Sequence, residues 1–199
     1  KLNDECWKSA QAVKLVDWSG LSAKENYTEF KTLYDSEFLY VSAICTSKIP
    51  NIVKNKVSPT RDLSLKSKDQ IFFQIDLDRD YTTCYQFQID SLGNVIDDCW
   101  GDLSWNPKWF FSTENTETGW TFEAAIPMGM ISSSPATSGK SWALNFGRMI
   151  QNQGVQTWSS PAKLPESNDT LEGMGLMFFL NQDAKSIPEA GKAKSSPAP

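Results

Sequence analysis

From residue 37 onward the apolar residues of this chain recur mainly at every second position, the period of a strand with one face turned to a core. "EFLYVSAIC" (37–45) reads as a largely buried strand, and "DQIFFQID" (69–76) alternates with Ile71, Phe73 and Ile75 on one side. In "YQFQI" (85–89) the apolar set is Tyr85, Phe87 and Ile89. "TTCYQFQID", "SLGN" and "VIDDCW" together predict a β-hairpin, with Gly93 and Asn94 as its positive-φ residues. Further strands are expected at "WFFST", "GWTFEAAIP", "SWALNFGRMI", "VQTWSS" and "MGLMFFL". The opening "NDECWKSA" has another period: Asp4 stands at a cap position, and Trp7, Ala10 and Val13 are spaced for one helical face, which predicts a short helix.

Eight or nine short strands, punctuated by Gly, Pro, Asn, Asp and Ser, predict an all-β domain. The expected architecture is an antiparallel β-sandwich, jelly-roll or immunoglobulin-like, over residues 1–181 with a short N-terminal helix. Residues 182–199, rich in Lys, Ala, Ser and Pro without an apolar period, read as a flexible linker or tail, and so as a sign of other domains in the same protein.

Parity then raises a chemical question. If Ile71, Phe73 and Ile75 face the core, Gln70, Phe72, Gln74 and Asp76 face away from it, and Gln86, Gln88 and Asp90 do the same on the next strand. A carboxamide offers one acceptor and two donors, which matches the mixed hydrogen bonding of sugar hydroxyls without the desolvation cost of a charge. A solvated outer face is the plainer reading of the same row. Tryptophan supplies the other half of a sugar site, because its flat ring covers the C–H face of a pyranose. Trp158, ahead of a proline-bearing loop, is the first candidate for exposure; Trp100, Trp105 and Trp109 lie in "CWGDLSWNPKW", where a loop can present one or two of them, while Trp120 and Trp142 open patterned strands and read as core. Gln74, Gln86, Gln88 and Asn145 are the candidate hydroxyl partners.

Composition narrows the function further. The 199 residues carry no histidine, which removes the commonest general base, the commonest zinc and haem ligand, and every Ser-His or Cys-His nucleophile. A net charge of −5 makes nucleic acid and anionic lipid unexpected partners, and no apolar run is long enough to span a bilayer. Cys6, Cys45, Cys84 and Cys99 have no metal-ligand spacing; two disulfides or four buried thiols both fit them. Asp76, Asp78 and Asp80 alternate after a strand and suit a structural calcium, although no EF-hand follows; Asp97, Asp98 and Asp102 form a second acidic group. Glu123 and Arg148, each inside a strand, are expected to pair across facing strands.

The ordered blocks "LNDECWKSA", "FKTLYDSEFLYVSAIC", "RDLSLKSKDQIFFQIDLDRD", "YQFQIDSLGNVIDD", "GWTFEAAIP", "WALNFGRM" and "TWS" resemble the family 9 carbohydrate-binding module superfamily from about residue 2 to residue 180. The resemblance implies a sandwich related to the DOMON domains, found in exported or cell-surface bacterial proteins, and hence an extracellular, periplasmic or cell-surface location. It also implies a non-catalytic domain whose partner is an oligo- or polysaccharide, held by stacking tryptophans and by amide and charged groups, with calcium as a structural ion. Carried over by position, Trp158 falls in the block of a stacking tryptophan, Gln88 at a ligand-contacting polar position, and Asp76 at the acidic end of its strand. "LSLKSK" (63–68) lacks the second stacking tryptophan, for which Trp105 or Trp109 is the substitute, and Phe72 stands where a polar residue is expected. Arg148 completes the candidate ligand-binding set. Some DOMON domains hold haem, but without histidine only methionines or a lysine are left as ligands, and haem is not the expected cofactor.

Overall fold

A computed structural model of the chain describes residues 4–17, 26–47, 60–62, 65, 69–134, 137–150, 154–158 and 173–180. The linker expected over 182–199 lies outside them, as does most of "LSLKSK". Two antiparallel sheets form the sandwich. The first contains β1 (Ala12–Lys14), β3 (Thr28–Tyr34), β4 (Phe38–Thr46), β9 (Gly119–Pro127) and β8 (Phe110–Thr116), in the order β1-β3-β4-β9-β8. The second contains β2 (Val16–Asp17), β11 (Gly154–Thr157), β10 (Ser141–Ile150), β5 (Asp69–Asp76), β6 (Tyr85–Asp90) and β7 (Val95–Cys99), in the order β2-β11-β10-β5-β6-β7. A further strand, β12 (Gly175–Phe178), pairs with the first half of β10.

Between the sheets lies one apolar core. β4 contributes Leu39, Val41, Ala43 and Cys45, β9 contributes Phe122, Ala124 and Ile126, and β5 contributes the expected Ile71, Phe73 and Ile75. Phe30 stacks on Phe146 at 4.4 Å, and Phe73 meets Phe122 at 6.3 Å, so aromatic contacts join the two layers. Trp120 and Trp142 are in this core, as their strands implied.

Arg148 is buried here too. It pairs across the sheet with Ile71, which puts it on the inner face. Nε and Nη2 donate to the two oxygens of Asp69 at 2.7 and 2.6 Å, and Nη1 donates to the carbonyl of Thr46 at 2.7 Å, to that of Tyr27 and to the Thr28 hydroxyl. The guanidinium therefore ties the second sheet to the first, and the expected pairing with Glu123 does not form. Glu123 instead faces outward on the first sheet and accepts the Trp7 indole N–H at 3.0 Å. The two residues sit on different sheets and opposite sides of the core, which sequence distance could not reveal.

Two local expectations are corrected. The N-terminal helix is a single 3-10 turn, Glu5–Lys8, with no side-chain cap from Asp4. The Ser9 N–H and hydroxyl both donate to the Cys6 carbonyl and close the turn, after which the chain joins β1, where Val13 pairs with Phe30. In the β6-β7 hairpin only Gly93 has positive φ, at 86°. Asn94 serves otherwise: its side-chain Nδ2 donates to Asp90 and its side-chain Oδ1 accepts from Thr60. The four cysteines are free thiols, and burial pushes the Cys45 thiol up to about 12.

Candidate functional site

The amides come together as parity required. Across the second sheet, register sets Asn145 of β10, Gln74 of β5, Gln86 of β6 and Asp98 of β7 in one row on the outer face. Gln74 Nε2 donates to Gln86 Oε1 at 2.9 Å, and Gln86 Nε2 donates to Asp98 Oδ2 at 2.9 Å. The next row along the same face holds Gly147, Phe72 and Gln88.

This face is nonetheless not a solvated one. Gln74 is 4% exposed, Asn145 1% and Phe72 2%. β5 thus has both faces covered, and Gln74 and Gln86 survive burial because they are hydrogen-bonded along the row. Phe72 is accommodated by a missing side chain: a Cβ on Gly147 would lie 2.1 Å from its ring, so the ring rests over the β10 backbone. Gln88, at the margin of the row, stays half-buried.

The tryptophans are the main correction. The Trp158 N–H donates to the Phe146 carbonyl, which places Trp158 opposite an inward-facing residue. Its indole packs 6.0 Å from the Phe146 ring and lies over Gly175, so it fills the inner side of the sheet where β11 and β12 meet. Trp105 packs on Tyr85 and Phe87, and Trp109 is buried against Phe73 and Phe87 with its indole N–H donating to Asp97. All three therefore lie on the far side of the sheet from the amide row. Arg148, with its donors committed to the seam, is also removed from the ligand-contacting set.

An exposed indole is present elsewhere in the same segment. Trp100, 55% exposed, follows β7 in the left-handed region with φ 56°. The turn that carries it is tied to the end of the amide row, because the Gly101 N–H donates to Asp98 Oδ1 at 2.8 Å while the Trp100 N–H donates to the Cys84 carbonyl. The chain thus runs Gln74, Gln86, Asp98 and the Trp100 turn as one connected unit. Trp100 is thus the exposed tryptophan of "CWGDLSWNPKW", while its left-handed backbone is not visible in the sequence pattern.

Of the acidic groups, only the first converges. Oxygens of Asp76, Asp78 and Asp80 all lie within 4.8 Å of one another, a spacing and donor set that suit a hard cation with oxygen ligands. The loop wraps on Asp76, which accepts the N–H groups of Arg79 and Tyr81, both in the left-handed region. Burial holds the Asp76 carboxyl above its ordinary value, and Asp78 beside it adds to this against the two N–H bonds. The second group is dispersed: Asp97 forms a salt bridge with Arg61, Asp98 ends the amide row, and Asp102 caps Ser104 on the surface.

Comparison with known proteins agrees with this architecture. The family described as carbohydrate family 9 binding domain-like matches residues 1–196. Among solved structures, a carbohydrate binding module family 9 from Caldicellulosiruptor kristjanssonii in complex with cellotriose superposes with a TM-score of 0.65 at 15% identity, over 93% of this chain and 90% of that one. The same kind of module in complex with glucose gives 0.64 at 15% identity, over 92% and 91%. A putative carbohydrate-binding protein from Bacteroides uniformis gives 0.63 at 14% identity, over 87% and 88%. No curated protein matches the sequence.

Proposed function

The chain belongs to the carbohydrate family 9 binding domain-like family, and from that premise we propose that it is a non-catalytic module that holds a neutral glycan on the outer face of its second sheet. The observation that supports this placement is the connected unit just described, in which buried amides orient Asp98 and the turn bearing the exposed Trp100. Trp100 is the platform for a pyranose C–H face, Gln88 meets the hydroxyls at the ring edge, and the buried Asp98 holds the Trp100 turn in place. Gln74, Gln86 and Asn145 act from beneath as positioning residues: their hydrogen bonds fix the geometry before a sugar arrives, which lowers the ordering cost of binding. The cellotriose and glucose complexes of the similar modules make β-glucans the first ligands to try.

Asp76, Asp78 and Asp80 are the residues that would hold a calcium ion. It would supply positive charge to three crowded carboxylates and brace the β5-β6 turn, with no part in chemistry on the sugar. A glycan ligand of this kind also favours an extracytoplasmic location.

Calorimetric titration with cellotriose tests the placement. Trp100→Ala is expected to abolish measurable binding with little change in thermal stability, since the ring is largely in solvent. Undiminished cellotriose affinity in that variant would refute it.

A further inference from the structure

A concave site of a different kind lies on the outer side of the first sheet, away from the amide row and the acidic turn. Register places Leu33, Tyr40, Ala125 and Phe110 in one row there, and Lys31, Ser42, Glu123 and Ser112 in the next. Alanine and serine at the centre of the sheet leave a floor of small side chains, and the walls rise around a cavity of about 670 Å³. That volume is in the range of small-molecule sites.

Its walls are aromatic, and one ring is open to a ligand. Phe110 is 64% exposed. The Phe38 ring lies 6.3 Å from it and 5.9 Å from that of Tyr40, so a cluster of rings borders the opening. Leu33, Phe111 and Ala125 continue the apolar lining. A flat apolar ring therefore has both a floor and a face to stack on.

Hydrogen bonds narrow the class of ligand. The Tyr40 hydroxyl donates to Asp35 Oδ2 at 2.8 Å, the Tyr34 hydroxyl to the Leu180 carbonyl, the Trp7 indole N–H to Glu123 and the Ser9 hydroxyl to the Cys6 carbonyl. Among the described lining side chains only Ser112 keeps an O–H or N–H outside such a bond. What the cavity offers is acceptors. An oxygen engaged in one hydrogen bond still has a lone pair for another, and this holds for both the Tyr40 hydroxyl and Asp35 Oδ2. A sugar, whose hydroxyls need donors as well as acceptors, is poorly matched to such a lining. So is an anion, since no lysine or arginine is among the described lining residues; Lys31, in the neighbouring row, donates to the Trp7 carbonyl. We propose that this cavity binds a neutral phenol, whose ring stacks against Phe110 or Tyr40 and whose O–H donates to Asp35 Oδ2 or to the Tyr40 oxygen. Binding there requires nothing of the second sheet.

The test is a nuclear magnetic resonance titration of the whole chain with 2-naphthol, following the Trp7 indole N–H signal. The comparators are 2-methoxynaphthalene, which lacks the O–H, and the 2-naphthoate anion. Naphthol is expected to shift that signal saturably, the methyl ether to bind about threefold or more weakly through loss of one hydrogen bond, and the anion not to bind measurably. Phe110→Ala removes the exposed ring, and Ala125→Leu fills the floor. Each is expected to weaken naphthol about threefold or more and to leave cellotriose affinity unchanged. No saturable shift at Trp7, equal affinity of naphthol and its ether, an anion that binds as well, unchanged naphthol affinity in either variant, or displacement of naphthol by cellotriose would overturn the proposal. A chain that binds naphthol in this way but not cellotriose would support the first-sheet phenol site and refute the second-sheet glycan site.

Discussion

Phe72 and Gly147 face each other across β5 and β10, and the Phe72 ring occupies the space that a side chain at 147 would need. An apolar ring thereby lies in the polar row's company without displacing it. Gly147→Ala is expected to cost about 1–3 kcal/mol through overpacking. Urea unfolding checks this, and an unchanged midpoint would show that the ring has room to move.

Arg148 gives the clearest separation of structural from ligand-contacting roles. It is 0% exposed and neutralises the buried Asp69. Arg148→Ala removes the guanidinium from that buried carboxylate and is expected to cost about 3–5 kcal/mol. A ligand-contacting arginine would instead lose glycan affinity at unchanged stability, so thermal unfolding and titration of the same variant distinguish the two.

Trp158 behaves in the same sense. Its indole packs on Phe146 and Gly175, so Trp158→Ala is expected to cost about 3 kcal/mol, with cellotriose affinity retained below the unfolding transition. Lost affinity with an unshifted unfolding temperature would place this indole in the sugar site after all.

The Asp35–Tyr40 pair predicts a pH signature. Burial pushes the Asp35 carboxyl up, but the Tyr40 hydroxyl and the N–H groups of Glu37 and Phe38 outweigh it and hold the carboxyl below its ordinary 3.8. The stability it contributes is therefore present above that value and lost as pH falls through the folded one. Tyr40 is pushed up to about 12 by its bond to Asp35 and by burial, so its contribution is complete below its ordinary 10.0 and lost as pH rises through about 12. Spectrophotometric titration is expected to show Tyr27 and Tyr40 ionising late, with Tyr85 also raised by burial, and Tyr40→Phe to remove one of these late-ionising groups. An unchanged late phase in that variant would contradict the pairing.

Much of the sandwich was legible because period two reports which side chains share a face. "GWTFEAAIP" and "SWALNFGRMI" form strands with the bounds their patterns suggested, and the amides of Gln74 and Gln86 do meet. Parity does not say whether the second face is also covered, and on β5 it is. Nor does it say on which side of a sheet a residue beyond a strand end will fall, and Trp158, Trp105 and Trp109 pack on the inner side, away from the amides. The outer face of the first sheet carries a pattern of its own. In "EFLYVSAIC" the outward positions include Phe38 and Tyr40, and in "WFF" one of two adjacent phenylalanines must point away from the core. Trp7 joins them through tertiary bonds to Glu123 and Lys31, and no spacing announces that.

The calcium assignment makes its own prediction. Added calcium is expected to raise the unfolding temperature, because an ion that binds only the folded carboxylate cluster stabilises it by mass action. Asp78→Asn is expected to abolish most of that increase. An equal increase in the variant would move the ion elsewhere.

The placement of the neutral glycan is tested most directly by a nuclear magnetic resonance titration with cellotriose, following the side-chain amides and the indole N–H signals. The expected result is a set of shifts confined to the Trp100 indole and the side chains of Gln88, Gln86 and Gln74. Shifts at the Trp158 indole with none at Trp100, or shifts only among Trp7 and its first-sheet neighbours, would contradict it.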